Sequence, residues 1–230
     1  MNSVRKTYFP YLKRLAFVMA ALAFLLKGSF FGFGASWGGP GDINAGTAIV
    51  MDADTGAILY GKNIHEKCYP ASITKLMTAL LVLENCSQDE LVTFSERAVT
   101  DLEYGAVTAY MSAGDQLSVR DCLYALLLYS ANDVANALAE HVGGSIEGFA
   151  EMMNERAREL GCADTSFKNP SGLTDSTHLT SVYDMALIAN ALFDMPAFLE
   201  IETADSYRLP ATEKVPSGLL MRIGHRMLRD

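Results

Sequence analysis

The hydrophobic pattern changes period near residue 70. Before it, Thr47-Ala48-Ile49-Val50-Met51-Asp52 and Ala57-Ile58-Leu59-Tyr60 read as two strands joined at a turn, Asp54-Thr55-Gly56. After it, apolar residues at 73, 76, 77, 80 and 81 recur at helical spacing and predict one helix from Ile73 to Leu83. Ala79, Val82 and Leu83 make this helix apolar nearly all round, the pattern of an element buried in its domain. Pro70 and Ser72 are residue types that suit its start.

The rest is mostly helical. Leu91-Val92-Thr93-Phe94 predicts a short strand, and residues 95–117 read as loop and short helix. Ser118-Val119-Arg120-Asp121 is a capping signature opening a helix through Leu128. Residues 129–133 interrupt it. A second helix runs from Val134 to about Val142, stopped by Gly143-Gly144. Ser145 caps a third, ending near Leu160 with Gly161 as its left-handed residue. Residues 164–173 form a loop. Thr180-Ser181-Val182-Tyr183-Asp184 opens a fourth helix to about Phe193, and Tyr207-Arg208-Leu209 suits a strand.

Composition limits the partners. The 230 residues are 50% hydrophobic, enough for a full core in one domain. The formal charge of −9 is uneven: residues 1–35 hold five basic residues and no acid, leaving 13 basic against 27 acidic residues beyond them. That balance argues against nucleic acid or anionic lipid as the partner of the globular part. Residues 1–35 have the form of an export signal, with a basic start, an apolar run from Leu15 to Leu26 and small residues near Ala35. Cleavage as a signal peptide and retention as a signal-anchor both remain open, and either places the domain outside the cytoplasmic membrane. Residues 36–46 read as a flexible spacer, and 47–230 as the domain. The four cysteines, Cys68, Cys86, Cys122 and Cys162, match no metal-site spacing; Cys122 reads as core and no disulfide is needed.

Two short motifs carry candidate chemistry. Ser72 lies one turn before Lys75 in the apolar helix, so the two side chains are neighbours. Burial lowers a lysine's pKa, and a neutral lysine can take the proton of an adjacent hydroxyl. Ser72 is then a nucleophile and Lys75 its base. The plainer alternative is a capping serine and a lysine that snorkels to solvent. The spacing alone decides nothing, since Ser3-Val4-Arg5-Lys6 repeats it in the basic terminus. Ser130-Ala131-Asn132 sits between two predicted helices and presents a hydroxyl and an amide together, for proton relay and carbonyl binding; the alternative is helix capping.

The order Ser-x-x-Lys then Ser-x-Asn resembles the first two of three motifs of penicillin-binding proteins and serine β-lactamases. Within that superfamily the chain resembles the low-molecular-weight D-alanyl-D-alanine carboxypeptidases, the S11 peptidases. The resemblance is carried by 51–60, by Pro70 to Lys75, by Leu123 to Asp133 and by Ala137 to Ser145. It continues through Met153-Asn154, Leu160-Gly161 and Thr165 to Leu173 before His178. It implies an α/β (α+β) transpeptidase-like fold, an antiparallel sheet packed by helices with a helical subdomain. It implies acyl transfer: Ser72 attacks the bond between two D-alanines of a peptidoglycan stem peptide, Lys75 takes the proton, Ser130 relays it and Asn132 binds substrate. The Ser72 N–H would give half of an oxyanion hole. β-Lactam antibiotics would be covalent inhibitors, and no metal or organic cofactor is implied.

One part of the pattern is missing. No lysine is followed by Thr-Gly or Ser-Gly; Lys214-Val215-Pro216-Ser217-Gly218 is the nearest approach, and its proline makes a poor edge strand. His225-Arg226-Met227-Leu228 resembles the stretch that leads to this third motif in the family. The resemblance therefore implies a chain truncated before that strand, with an incomplete sheet. The alternatives are a related β-lactamase, against which stands the lack of a Glu-x-x-x-Asn loop after Ser130, and a catalytically dead wall-binding relative. His178 reads as structural.

Overall fold

The structure, a computed structural model, describes residues 43–222. The signal segment 1–35, most of the spacer and the stretch from His225 to Leu228 lie outside the described residues.

Among the described residues the strands form three antiparallel two-stranded sheets. Strands β1 (Ala48–Met51) and β2 (Ile58–Lys62) make the expected hairpin, with a bulge between Val50 and Met51. Strand β3 (Leu91–Thr93) pairs with β4 (Gln116–Ser118), and β5 (Ser206–Arg208) pairs with β6 (Leu220–Arg222). β4 and β6, not expected from the sequence, are each three residues long, too short for alternation to mark a strand by itself.

The Ser72 helix comes in two parts. Ala71–Thr74 is a 3₁₀ turn, and α1 proper runs Lys75–Asn85. Ser72 therefore does not cap the helix through its side chain; it sits inside the tight turn that feeds it. Met77, Ala79, Leu80, Leu81 and Val82 are buried as expected. Ile73 is 47% exposed and Leu76 half-buried, a correction to the helix buried all round. Both line an apolar cavity of about 460 Å³ between β1, the 68–70 segment and a later helix.

The helical block surrounds α1. The helices are α2 (Glu96–Thr100), α3 (Val119–Leu128), α4 (Asn132–Gly143), α5 (Ile146–Glu159), α6 (Val182–Phe193) and α7 (Pro196–Glu202). α1 packs against α3, α4, α5 and α6, which puts Lys75 at the head of the central helix. The caps are those the sequence announces: Ser118 accepts from the Asp121 N–H, Ser145 from Gly148 and Ser181 from Asp184. Gly144 and Gly161 take left-handed φ values of 72° and 85° after α4 and α5. α4 begins two residues earlier than its apolar pattern, so Asn132 stands on its first turn rather than in a loop. α7, unmarked by the apolar pattern, opens with Pro196 in its first turn.

Asp133 anchors the block to the neighbouring loop. It is buried and accepts N–H bonds from Ala109 at 2.9 and 3.1 Å, Met111 at 3.2 Å and Val134 at 2.9 Å. Burial raises its pKa, against the pull of those donors. Removing the carboxylate strands buried N–H groups of the 107–111 segment. Asp133→Ala should cost about 2–4 kcal/mol of unfolding free energy in a denaturant melt; a loss under about 0.5 kcal/mol, the range of an ordinary surface substitution, would contradict this account.

Candidate active site

Four segments converge on Ser72. The Ser72 hydroxyl is exposed at the mouth, and Lys75 beneath it is only 3% exposed. Lys75 Nζ donates to Asn132 Oδ1 at 2.9 Å, to the Ser171 carbonyl at 2.8 Å and to Ser72 Oγ at 3.5 Å. Ser130 Oγ donates to Ser72 Oγ at 3.0 Å. The structure thus brings together all four residues singled out in the sequence.

Electrostatics follow from what is absent around the ammonium. Among the described residues its three acceptors are neutral and none is a carboxylate, and burial lowers the Lys75 pKa to about 8. At pH 7 roughly a tenth of the molecules then carry the free amine. In that state two N–H bonds satisfy Asn132 Oδ1 and the Ser171 carbonyl, and the lone pair is left for the Ser72 hydroxyl. The longer contact, 3.5 Å, is the one across which the proton must move.

Asn132 has a fixed orientation. Its Nδ2 donates to the Val107 carbonyl at 2.9 Å, which turns Oδ1 toward Lys75. Its backbone N–H bonds the same carbonyl at 2.9 Å. One amide N–H is left over.

Backbone strain concentrates here. Ala71 has φ 49° and Ser130 φ 60°, in the left-handed region that residues other than glycine avoid. Ser130 ends α3 where a glycine would relax the turn, but a glycine has no hydroxyl to aim at Ser72. Gly172, at φ 82°, must be glycine: a Cβ there would lie 1.8 Å from the Ala71 carbonyl oxygen.

The 167–173 loop presses the lysine from the far side. Asn169 Oδ1 accepts N–H bonds from Ser171 and Gly172, and Thr78 Oγ1 donates to the Pro170 carbonyl at 2.6 Å. Asn154 clamps Phe167 in both directions. His178 is buried; its Nδ1 accepts from the Lys168 N–H at 3.1 Å, so Nε2 carries the proton and faces Thr74 Oγ1 at 3.0 Å. The structural reading of His178 agrees with these bonds.

Comparison with known proteins follows the same line. Residues 35–217 match the D-alanyl-D-alanine carboxypeptidase family, peptidase S11. The chain belongs to that family. D-alanyl-D-alanine carboxypeptidase DacF of Bacillus subtilis is 37% identical over 176 residues, covering 74% of this chain and 44% of that protein. DacA of Haemophilus influenzae is 32% identical over 199 residues, 84% and 50% respectively. Among solved structures, penicillin binding protein 6B from Escherichia coli superposes with a TM-score of 0.75 at 32% identity, over 83% of this chain and 61% of that one. These neighbours share the α+β fold. The chain spans about half the length of the curated relatives it matches.

Some members of the site escaped the motifs. Ser171 acts through its carbonyl, for which no side-chain pattern exists, although the Asn169-Pro170-Ser171-Gly172 turn was visible. Asp133 and Thr78 are ordinary helix residues in sequence. Lys214, the nearest approach to the third motif, donates instead to the Met111 carbonyl at 2.8 Å. Among the described residues, the three His, Cys, Asp or Glu side chains close enough to share a metal are Cys86, Glu90 and His141.

His178 makes the site sensitive to acid. Burial lowers its pKa from 6.5 to about 4, so the folded state refuses a proton that the unfolded chain accepts. Stability from this group is complete above pH 6.5 and is lost as pH falls toward about 4. The Tm should therefore drop more between about pH 7 and pH 5 in the wild type than in His178→Gln; equal drops would contradict this.

Proposed function

We propose that this chain is a serine D-alanyl-D-alanine carboxypeptidase acting on peptidoglycan stem peptides outside the cytoplasmic membrane. The observation that carries the reading is the hydroxyl of Ser72 held between Lys75 Nζ at 3.5 Å and Ser130 Oγ at 3.0 Å. Family membership and the names of the relatives support it.

In the proposed reaction the Lys75 amine takes the Ser72 proton as Oγ attacks the carbonyl carbon between the two D-alanines. The tetrahedral intermediate collapses, the C–N bond breaks, and the proton returns to the leaving amine through Ser130. The remaining Asn132 amide N–H holds a substrate carbonyl, and the Ser72 N–H faces the oxyanion. Water, deprotonated by Lys75, then cleaves the ester and releases Ser72. A β-lactam would acylate the same hydroxyl.

The resemblance assigns the terminal carboxylate of the substrate to a Lys-Thr-Gly strand, which the 230 residues do not contain. This reading therefore gives the chain the nucleophile, base, relay and amide of the machinery. The basic, then apolar, segment 1–35 would direct export, by cleavage or as a membrane anchor, through the spacer at 36–46 to the domain at 47–230.

A fluorescent penicillin should label the full chain at Ser72, located by peptide mass spectrometry, and Ser72→Ala should not be labelled. An acyl-D-Ala-D-Ala peptide should release D-alanine. Labelling that persists in Ser72→Ala, or no labelling of the wild type, would overturn the proposal.

The acylation rate should climb with pH through about 8 as Lys75 loses its proton. Lys75→Ala should lose that limb and roughly 10²–10⁴ in rate. A wild-type rate that is flat across that limb would contradict Lys75 as the base.

A further inference from the structure

We propose that Cys86, Glu90 and His141 form a divalent-metal site suited to Zn²⁺, at the end of α1 remote from Ser72. The inference is independent of the catalytic reading. The sulfur, carboxylate oxygen and imidazole nitrogen all lie within 4.8 Å of one another. His141 Nε2 and Glu90 Oε2 are 3.3 Å apart. Tetrahedral zinc with bonds of about 2.0–2.1 Å separates two such ligands by about 3.4 Å. A sulfur at about 2.3 Å needs about 3.5 Å to its neighbours, a closure that a half-buried side chain can make by rotation.

The scaffold around these donors is already ordered. Cys86 caps α1, its N–H bonded to the Val82 carbonyl at 2.9 Å. Glu90 is held at both backbone groups, by the Ser87 carbonyl at 3.2 Å and the Val119 N–H at 2.8 Å. Its other carboxylate oxygen accepts from the Ser87 N–H at 2.6 Å, which leaves Oε2 aimed at the imidazole. This is the outer-shell support that metal-ligating carboxylates carry. His141 projects from the last turn of α4.

The donor set selects the metal. A thiolate, an imidazole and one carboxylate favour Zn²⁺ over the hard cations Mg²⁺ and Ca²⁺, with water in the fourth position. Burial, and then the Glu90 charge, raise the pKa of the Cys86 thiol. On binding, the S–H bond is replaced by an S–Zn bond and the proton leaves to solvent, with no change of oxidation state. The donors are 4 and 51 residues apart in sequence, so no spacing rule would find them.

The consequence is structural. α1 begins at Lys75 and ends at Asn85, just before Cys86; α4 begins at Asn132 and ends at Gly143, with His141 in its last turn. A metal there clips together the far ends of the two helices whose near ends share the Lys75–Asn132 hydrogen bond.

The test uses the full chain, reduced and stripped with chelator. Zn²⁺ titrated by calorimetry should bind at one equivalent, and the Tm should rise by roughly 5 °C or more at a hundredfold excess over Kd. Co²⁺ should give a near-ultraviolet thiolate charge-transfer band in the wild type. Cys86→Ser should lose the band, Cys86→Ser and His141→Ala should lose the stoichiometric binding, and Cys68→Ser should keep both. Absence of the band in the wild type, absence of one-equivalent binding, or binding that survives both Cys86→Ser and His141→Ala would overturn the site.

Discussion

A buried lysine with no counter-ion among the described residues is the constraint on which the rest of the site depends. Lys75 stands at the head of the helix around which α3, α4, α5 and α6 pack, bonded to a hydroxyl, an amide and a backbone carbonyl. Taking an ammonium out of water is costly unless it is paired, and here the cost is met by giving up the charge. A carboxylate in place of any of these three acceptors would hold the proton on Lys75 and remove the base. The choice of Asn at 132 and of a carbonyl at 171 is therefore a choice about protonation.

That requirement explains several expensive local features. Ala71 and Ser130 accept left-handed backbone so that two hydroxyls meet over the lysine. Gly172 lets the 167–173 loop press against the Ala71 carbonyl and deliver the Ser171 oxygen. Asp133, Asn154, Asn169 and His178 act through backbone: Asp133 ties down the 107–111 segment whose Val107 carbonyl holds Asn132, and the other three tie down the 167–173 loop whose Ser171 carbonyl holds Lys75. Such strain persists only where the surrounding structure over-determines it, and the packing of α3, α4, α5 and α6 around α1 supplies that support.

The parts of this arrangement that follow from local chemistry were legible in the sequence. The hairpin, the three helices capped by Ser118, Ser145 and Ser181, and the neighbouring Ser72 and Lys75 all rest on residue periods and caps, and each is where those rules put it. What was not legible depends on long-range contact. Nothing local distinguishes a 3₁₀ turn at Ala71–Thr74 from the first turn of an α-helix. Asn132 joined α4 because its N–H and side chain found the Val107 carbonyl, 25 residues away. Ile73 and Leu76 had the right period for burial, yet the surface they face is a cavity rather than a packed layer. The Ser171 carbonyl and the Cys86–Glu90–His141 cluster exist only once the chain has folded.

The central claim is that burial alone turns Lys75 into a base. The most direct measurement is a titration of the Lys75 Nζ by ¹⁵N-lysine NMR on the full chain, with its signal assigned by its loss in Lys75→Arg. The account predicts a midpoint near 8. A midpoint at the ordinary lysine value of about 10.4 would contradict it.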